Sequence, residues 1–132
     1  MPRNLIDHIS LNVADYERAK AFYARALAPL GFSLVIEVTA EMTGSIPSAG
    51  FGPKGKPVFW IAPKGHQTPA QHIAFGADSR AMVDAFHAAA ITAGATDNGA
   101  PGLRPHYHPN YYGAFVLDPE GHNIEAVCHL PE

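Results

Sequence analysis

A single cysteine, Cys128, rules out an internal disulfide framework. It lies in the apolar run Ile124-Glu125-Ala126-Val127-Cys128, where its expected role is that of a small buried hydrophobe. Charge is also sparse: 16% of residues are charged, and nine Lys and Arg stand against twelve Asp and Glu, a formal net charge of −3. No basic stripe is present that could release counterions from a nucleic acid, so nucleic-acid binding is set aside. No apolar run approaches the roughly 18 residues of a membrane span. The segment Met1-Pro2-Arg3-Asn4-Leu5 lacks the longer apolar core of a signal peptide. A cytoplasmic protein without membrane partners is therefore expected. The 47% of hydrophobic residues in 132 suffices for one compact domain and argues against disorder, a coiled coil or a fibre.

What the sequence has in excess is histidine, eight in all. The first of interest, His8, opens an alternating stretch in which Ile9, Leu11 and Val13 share one face of a strand and His8, Ser10 and Asn12 the other. Asp15 then caps a helix whose apolar stripe is Ala19, Phe22, Tyr23, Ala26 and Leu27, ended by Pro29 and Gly31. Phe32 to Thr39 reads as a strand. Gly44 to Gly55, with four glycines and two prolines, reads as a loop or a short irregular strand. Pro57 to Ala62 is a further strand closed by Pro63, so the first half reads β, α, β, β, β.

After a polar linker from Lys64 to Ala70 the opening returns. A shift of 64 places His8 on His72, Ile9 on Ile73, Ala21 on Ala85 and Phe22 on Phe86. Gln71 to Ala77 is the strand, and Ser79 caps a helix with the stripe Met82, Val83, Phe86, Ala89 and Ala90, ending near Gly94. Between Ala95 and Asn110 the glycines and prolines make regular structure doubtful, and a mobile or functional loop is expected. Tyr112 to Leu117 and Asn123 to Val127 are strands joined by the turn Asp118-Pro119-Glu120-Gly121.

Three residues from strand-like segments carry metal-binding chemistry: His8, His72 and Glu125. A carboxylate centred in an apolar strand is costly to bury unless it meets a hydrogen-bond donor, a counter-ion or a metal. Two imidazoles and one carboxylate leave coordination positions open to water and substrate, as in non-haem iron oxygenases and several catalytic zinc sites. Read singly, each histidine is more often a structural residue than a ligand, and Glu125 can simply face solvent; their joint appearance at equivalent points of a repeated strand-helix unit, with the Glu in the strand after the DPEG turn, favours a site. A second cluster, Arg104-Pro105-His106-Tyr107-His108-Pro109-Asn110-Tyr111-Tyr112, precedes the strand pair that bears Glu125. From it His106, Tyr107, His108 and Tyr111 are candidates for proton transfer or for donating to an oxyanion; the alternative is an aromatic loop packed over the module junction.

The segments Asp7-His8-Ile9-Ser10-Leu11-Asn12-Val13, Gln71-His72-Ile73-Ala74-Phe75 and Tyr112 through Glu125, with the DPEG turn the most specific, resemble the signature blocks of the vicinal-oxygen-chelate superfamily. This is the superfamily of glyoxalases, extradiol dioxygenases and bleomycin- and fosfomycin-resistance proteins. The resemblance covers nearly the whole chain. It implies an α+β fold of two tandem βαβββ modules, about 4–64 and about 70–130 of one domain 1–132, forming a half-open curled sheet around a metal cleft. It also implies a homodimer, one divalent transition metal (Zn, Fe, Mn, Ni or Co) on His8, His72 and Glu125, and a small substrate chelating through vicinal oxygens. The fourth ligand of glyoxalase I has no counterpart in Val58 to Ala62, and Trp60 lies where it would be sought. Glyoxalase-like lyase or isomerase chemistry is the expected activity. The alternatives are an extradiol-type dioxygenase or a metal-free binding protein of the bleomycin-resistance type. A structural metal, completed by His106, His108 or His129, is a third reading.

Overall fold

A computed structural model describes residues 6–132; Met1 to Leu5, read above for a signal peptide and from Asn4 on included in the first module, lie outside them. Strand β1 (Ile9–Asn12) leads through Asp15 into α1 (Tyr16–Ala26). The Asp15 carboxylate accepts from the Arg18 N–H, satisfying a donor that the first helical turn leaves free. A short turn of tighter helix at Ala28–Leu30 closes on Gly31, whose φ of +83° is a conformation glycine adopts without strain. Strand β2 (Phe32–Val38), a one-turn helix α2 (Ala40–Thr43), β3 (Ser48–Pro53) and β4 (Phe59–Ala62) complete the first module. The second repeats it with β5 (His72–Gly76), α3 (Arg80–Thr92), β6 (Thr96–Leu103), β7 (Tyr112–Leu117) and β8 (Asn123–Cys128).

The two four-stranded sheets have the same plan. Their orders are β1-β4-β3-β2 and β5-β8-β7-β6. In each, the first strand runs parallel to the last and the remaining pairs are antiparallel. The 64-residue shift maps the first residue of α1 onto the first residue of α3, so the sequence repeat is a structural repeat. The expected α+β architecture of two tandem βαβββ modules is the observed one.

The stretch from Ala95 to Asn110 departs from expectation. Thr96–Leu103 is a strand, despite Gly99, Pro101 and Gly102. It is an edge strand, paired only with β7, so Pro101 costs no central ladder hydrogen bond, and the register slips on both sides of Gly99. Only residues 104–111 remain a loop. In the Gly44–Gly55 stretch, β3 is regular enough to pair on both sides.

Helices and sheets bury one common core. Leu11, Phe22, Tyr23, Phe51, Phe59 and Ile61 of the first module join Phe75, Val83, Phe86, Val116 and Ile124 of the second. Phe75 sets its ring edge-on against Phe32 and Phe59, at centroid distances of 5.4 and 5.5 Å, and so ties β5 to the first sheet. Each fully buried side chain of this kind contributes roughly 1.5–3 kcal/mol of transfer free energy. Cys128 is fully buried, as expected of a small hydrophobe. Because side chains alternate along a strand, the residues next to these core positions face away from the helices. Those are His8, Ser10, Asn12 and Trp60 in the first sheet, and His72 and Glu125 in the second. Among the described residues no helix is long and apolar enough to cross a membrane.

Candidate functional site

The chemistry-bearing side chains gather in three places. The first is built on β5 and β8. Glu125 is 1% exposed, and His72 Nε2 lies 2.8 Å from its Oε1. The Tyr111 hydroxyl donates to the other carboxylate oxygen, Oε2. No Lys or Arg pairs with Glu125 among the described residues, so a buried carboxylate is held by an imidazole and a phenol alone. Burial, reinforced by the hydrogen bond to Glu125, pushes the Tyr111 hydroxyl far above the ordinary tyrosine range. It keeps its proton at neutral pH and acts as a donor.

Gly113 makes this contact possible. A Cβ there would lie 3.1 Å from the Tyr111 ring and 3.4 Å from Glu125 Oε2. Sequence reasoning passed over Gly113, although a glycine inside a strong strand signals close approach by a neighbour. The loop around Tyr111 is a stack of rings. Tyr107 lies 4.8 Å and His108 5.5 Å from the Tyr111 ring, and His106 packs on Tyr107 at 4.2 Å. His108 Nε2 is 2.6 Å from His129 Nδ1 on the C-terminal segment, so one proton is shared between two imidazoles. His129 thus joins the cluster on which the loop rests.

The second place is the face of the first sheet opposite α1. His8 lines a cavity of about 500 Å3 with Ser10, Asn12, Trp60 and Lys64. Its Nδ1 lies 2.7 Å from Asp7 Oδ2, while Lys56 Nζ is 2.9 Å from Asp7 Oδ1. The hydrogen bond with His8, helped by Lys56, holds the Asp7 carboxyl below its usual range. Asp7 therefore stays ionised and accepts the Nδ1 proton, leaving the Nε2 lone pair of His8 free, the orientation that carboxylates give to metal-ligating histidines. Asp7 was not singled out in the sequence; its adjacency to His8 was the available signal.

His8 does not join His72 and Glu125 within the chain. The described residues contain one group of three or more His, Cys, Asp or Glu whose ligand atoms lie within 4.8 Å of one another, and it is His66, Glu120 and His122. This third place sits where the DPEG turn meets the first module. Glu120 accepts from the N–H groups of Ala14 and Asp15 and lies 3.4 Å from His66 Nδ1. His122 is fully buried, and its Nδ1 accepts from the Gln71 N–H at 2.9 Å. The neutral ring consequently carries its proton on Nε2, which finds no acceptor. In this state His122 presents a donor to the cluster rather than a ligand lone pair, so a cation would first have to displace the Gln71 hydrogen bond.

Two tandem βαβββ modules with a histidine at the start of each and a buried glutamate in the last strand define a class. The Glyoxalase/Bleomycin resistance protein/Dioxygenase superfamily model matches residues 5–126, and the chain belongs to that superfamily. A glyoxalase/bleomycin resistance protein from Albidiferax ferrireducens is similar at 27% identity and a TM-score of 0.75, covering 96% of this chain and all of that one. A glyoxalase/bleomycin resistance protein/dioxygenase family enzyme from Burkholderia phytofirmans shares the fold at 24% identity and a TM-score of 0.67, with 95% and 98% covered. Glyoxalase I from Zea mays shares it at 23% identity and a TM-score of 0.67; 93% of this chain matches 45% of that one. No curated protein matches the chain.

Proposed function

We propose that the chain is a metal-dependent enzyme with lyase or isomerase chemistry of the glyoxalase type, acting on a small oxygen-bearing substrate. The observation that carries this reading is the pair His72 and Glu125. Two cis ligands on an ion at metal–nitrogen and metal–oxygen distances near 2.1 Å stand roughly 3 Å apart, and Nε2 and Oε1 are already 2.8 Å apart. The carboxylate is buried without a cationic side chain, so a divalent ion is the charge partner its surroundings lack.

His8, with its Nε2 freed by Asp7, is the third ligand, and in this reading it comes from a second copy. Strands β1 and β5 are both sheet edges, paired on one side only, with β4 and β8, among the described residues. Setting β1 of one copy beside β5 of another covers two unpaired edges and brings the two ligand faces together. A homodimer with shared sites follows.

A bound divalent ion supplies Lewis acidity toward a carbonyl or enediolate oxygen. The rest is done by the chain. Tyr111 keeps its proton and orients Glu125 through Oε2. The shared proton of His108 and His129 is the mobile one, and loop residues His106 and Tyr107, the latter 57% exposed, meet the substrate from the solvent side. A metal-free binding protein is the second reading, favoured by the fact that His72 and Tyr111 satisfy both oxygens of Glu125 without an ion. Elemental analysis of untagged protein separates them. About one equivalent of a transition metal per chain, lost in His72→Ala with the fold intact, supports the enzyme; no metal taken up on titration supports the binder.

A further inference from the structure

We infer that the cavity beside His8 selects a flat, conjugated carboxylate, stacked on Trp60 and paired with Lys64. The inference deepens the reading above by naming the ligand class of that site, and it rests on that reading only in placing the site on this face of the first sheet.

Three observations carry it. The first is the seat of the indole. Trp60 pairs across the sheet with Gly50, and a Cβ at position 50 would meet the indole atoms Cζ2 and Cη2 at 3.0 Å. Gly50 thus leaves room for the indole, which shares that space with Pro57, whose Cβ would lie 2.9 Å from the same added atom, and the indole lines the cavity, where it can serve as a stacking platform. The second is the charge of the lining. The chain carries a net −3, yet none of the residues around this cavity is acidic. Its charged member is Lys64, which forms no ion pair among the described residues. A cavity with one free ammonium and no carboxylate favours an anion. The third is the polar rim: Ser10, Asn12 and Thr43 supply neutral donors and acceptors that fix the orientation of a polar group without opposing its charge. At about 500 Å3 the space takes a single-ring compound with short substituents.

Trp60 is the protein's sole tryptophan, so its indole N–H gives one resonance in a nitrogen-15 correlation spectrum. The test titrates chelator-treated protein with benzoate, with neutral benzamide and with the non-planar cyclohexanecarboxylate. Benzoate is expected to shift the Trp60 resonance saturably. Benzamide should bind about three- to fivefold more weakly, the scale of one solvent-exposed cation, and cyclohexanecarboxylate should also bind more weakly than benzoate. Lys64→Met should bring benzoate down to the affinity of benzamide, and Trp60→Leu should abolish the preference for the planar acid in calorimetry. Equal affinity for benzoate and benzamide, an unchanged Lys64→Met variant, or no saturable shift would overturn the inference. Wild type that takes up no metal on titration yet prefers benzoate supports this inference and removes the metal centre, whereas protein that takes up metal but is indifferent to benzoate does the reverse, so the two readings fail separately.

Discussion

Replacing Tyr111 by Phe removes one hydroxyl from a carboxylate that has nowhere else to turn. Glu125 is 1% exposed, and its two oxygens are divided between His72 and Tyr111. A net hydrogen bond to a charged group contributes about 1.5–3 kcal/mol, and leaving the buried acceptor unmet costs in the same range. The ring remains, so its packing against Tyr107, His108 and His129 is kept, and the loss reports the hydroxyl alone. We expect metal-free Tyr111→Phe to lose about 1.5–3 kcal/mol in urea unfolding, and to melt roughly 5–12 °C lower for a chain of this size. Saturating divalent metal should narrow the gap, since an ion on Glu125 replaces part of what the hydroxyl supplied. Alkaline titration of tyrosine absorbance gives a second readout: the variant should lose none of the tyrosines that ionise in the ordinary range. A stability loss under about 0.5 kcal/mol would mean that the hydroxyl does not hold Glu125, and the argument for a buried, cation-seeking carboxylate would fall with it.

Phe75→Ala should cost about 3–5 kcal/mol, because the ring bridges Phe32 and Phe59 across the modules; a loss below about 1 kcal/mol in urea unfolding would show that the modules are not coupled there. Gly52→Ala drives a Cβ to 1.7 Å from the Lys56 carbonyl oxygen and should cost about 3 kcal/mol or more, whereas Gly76→Ala meets nothing within 4 Å and should stay within about 0.5 kcal/mol of wild type. For Glu120, burial is the largest single influence and opposes ionisation, but the Asp15 and Ala14 N–H groups with His66 outweigh it and hold the carboxyl below 4.5. A depressed carboxyl stabilises the fold above its unfolded value and loses that contribution as pH falls through its folded value. The stability difference between wild type and Glu120→Gln should therefore be greatest near neutrality and shrink below about pH 4.5; a difference that grows on acidification would reverse the sign of the argument.

The elements legible in the sequence are those whose local signals agree with their tertiary surroundings. Asp15 and Ser79 cap α1 and α3 as their positions suggested, and the 64-residue shift carries one helix start onto the other. Strand β6 was missed because its own residues argue against it: a glycine at φ +150° and a proline are tolerated only through its edge position beside β7. The pairing of His72 with Glu125 was foreseeable because both alternate onto the polar face of adjacent strands. Alternation says which face a side chain takes and nothing about how two sheets are set against each other. For that reason the separation of His8 from His72 and Glu125 was beyond reach, although all three lie opposite their helices. The same limit hid the meeting of His66 with Glu120 and His122, which depends on where a linker folds back over a turn.

The central claim is a metal centre shared between two copies, and subunit complementation tests it most directly. His8→Ala and Glu125→Ala chains are each purified, co-expressed with distinguishable tags, and analysed for metal. Wild type should hold about one equivalent per chain and each variant alone none, while the isolated mixed dimer should recover about one equivalent per dimer, at the site whose His8 and Glu125 are both intact. A mixed dimer as empty as its parents, or either single variant retaining the metal of wild type, would contradict it.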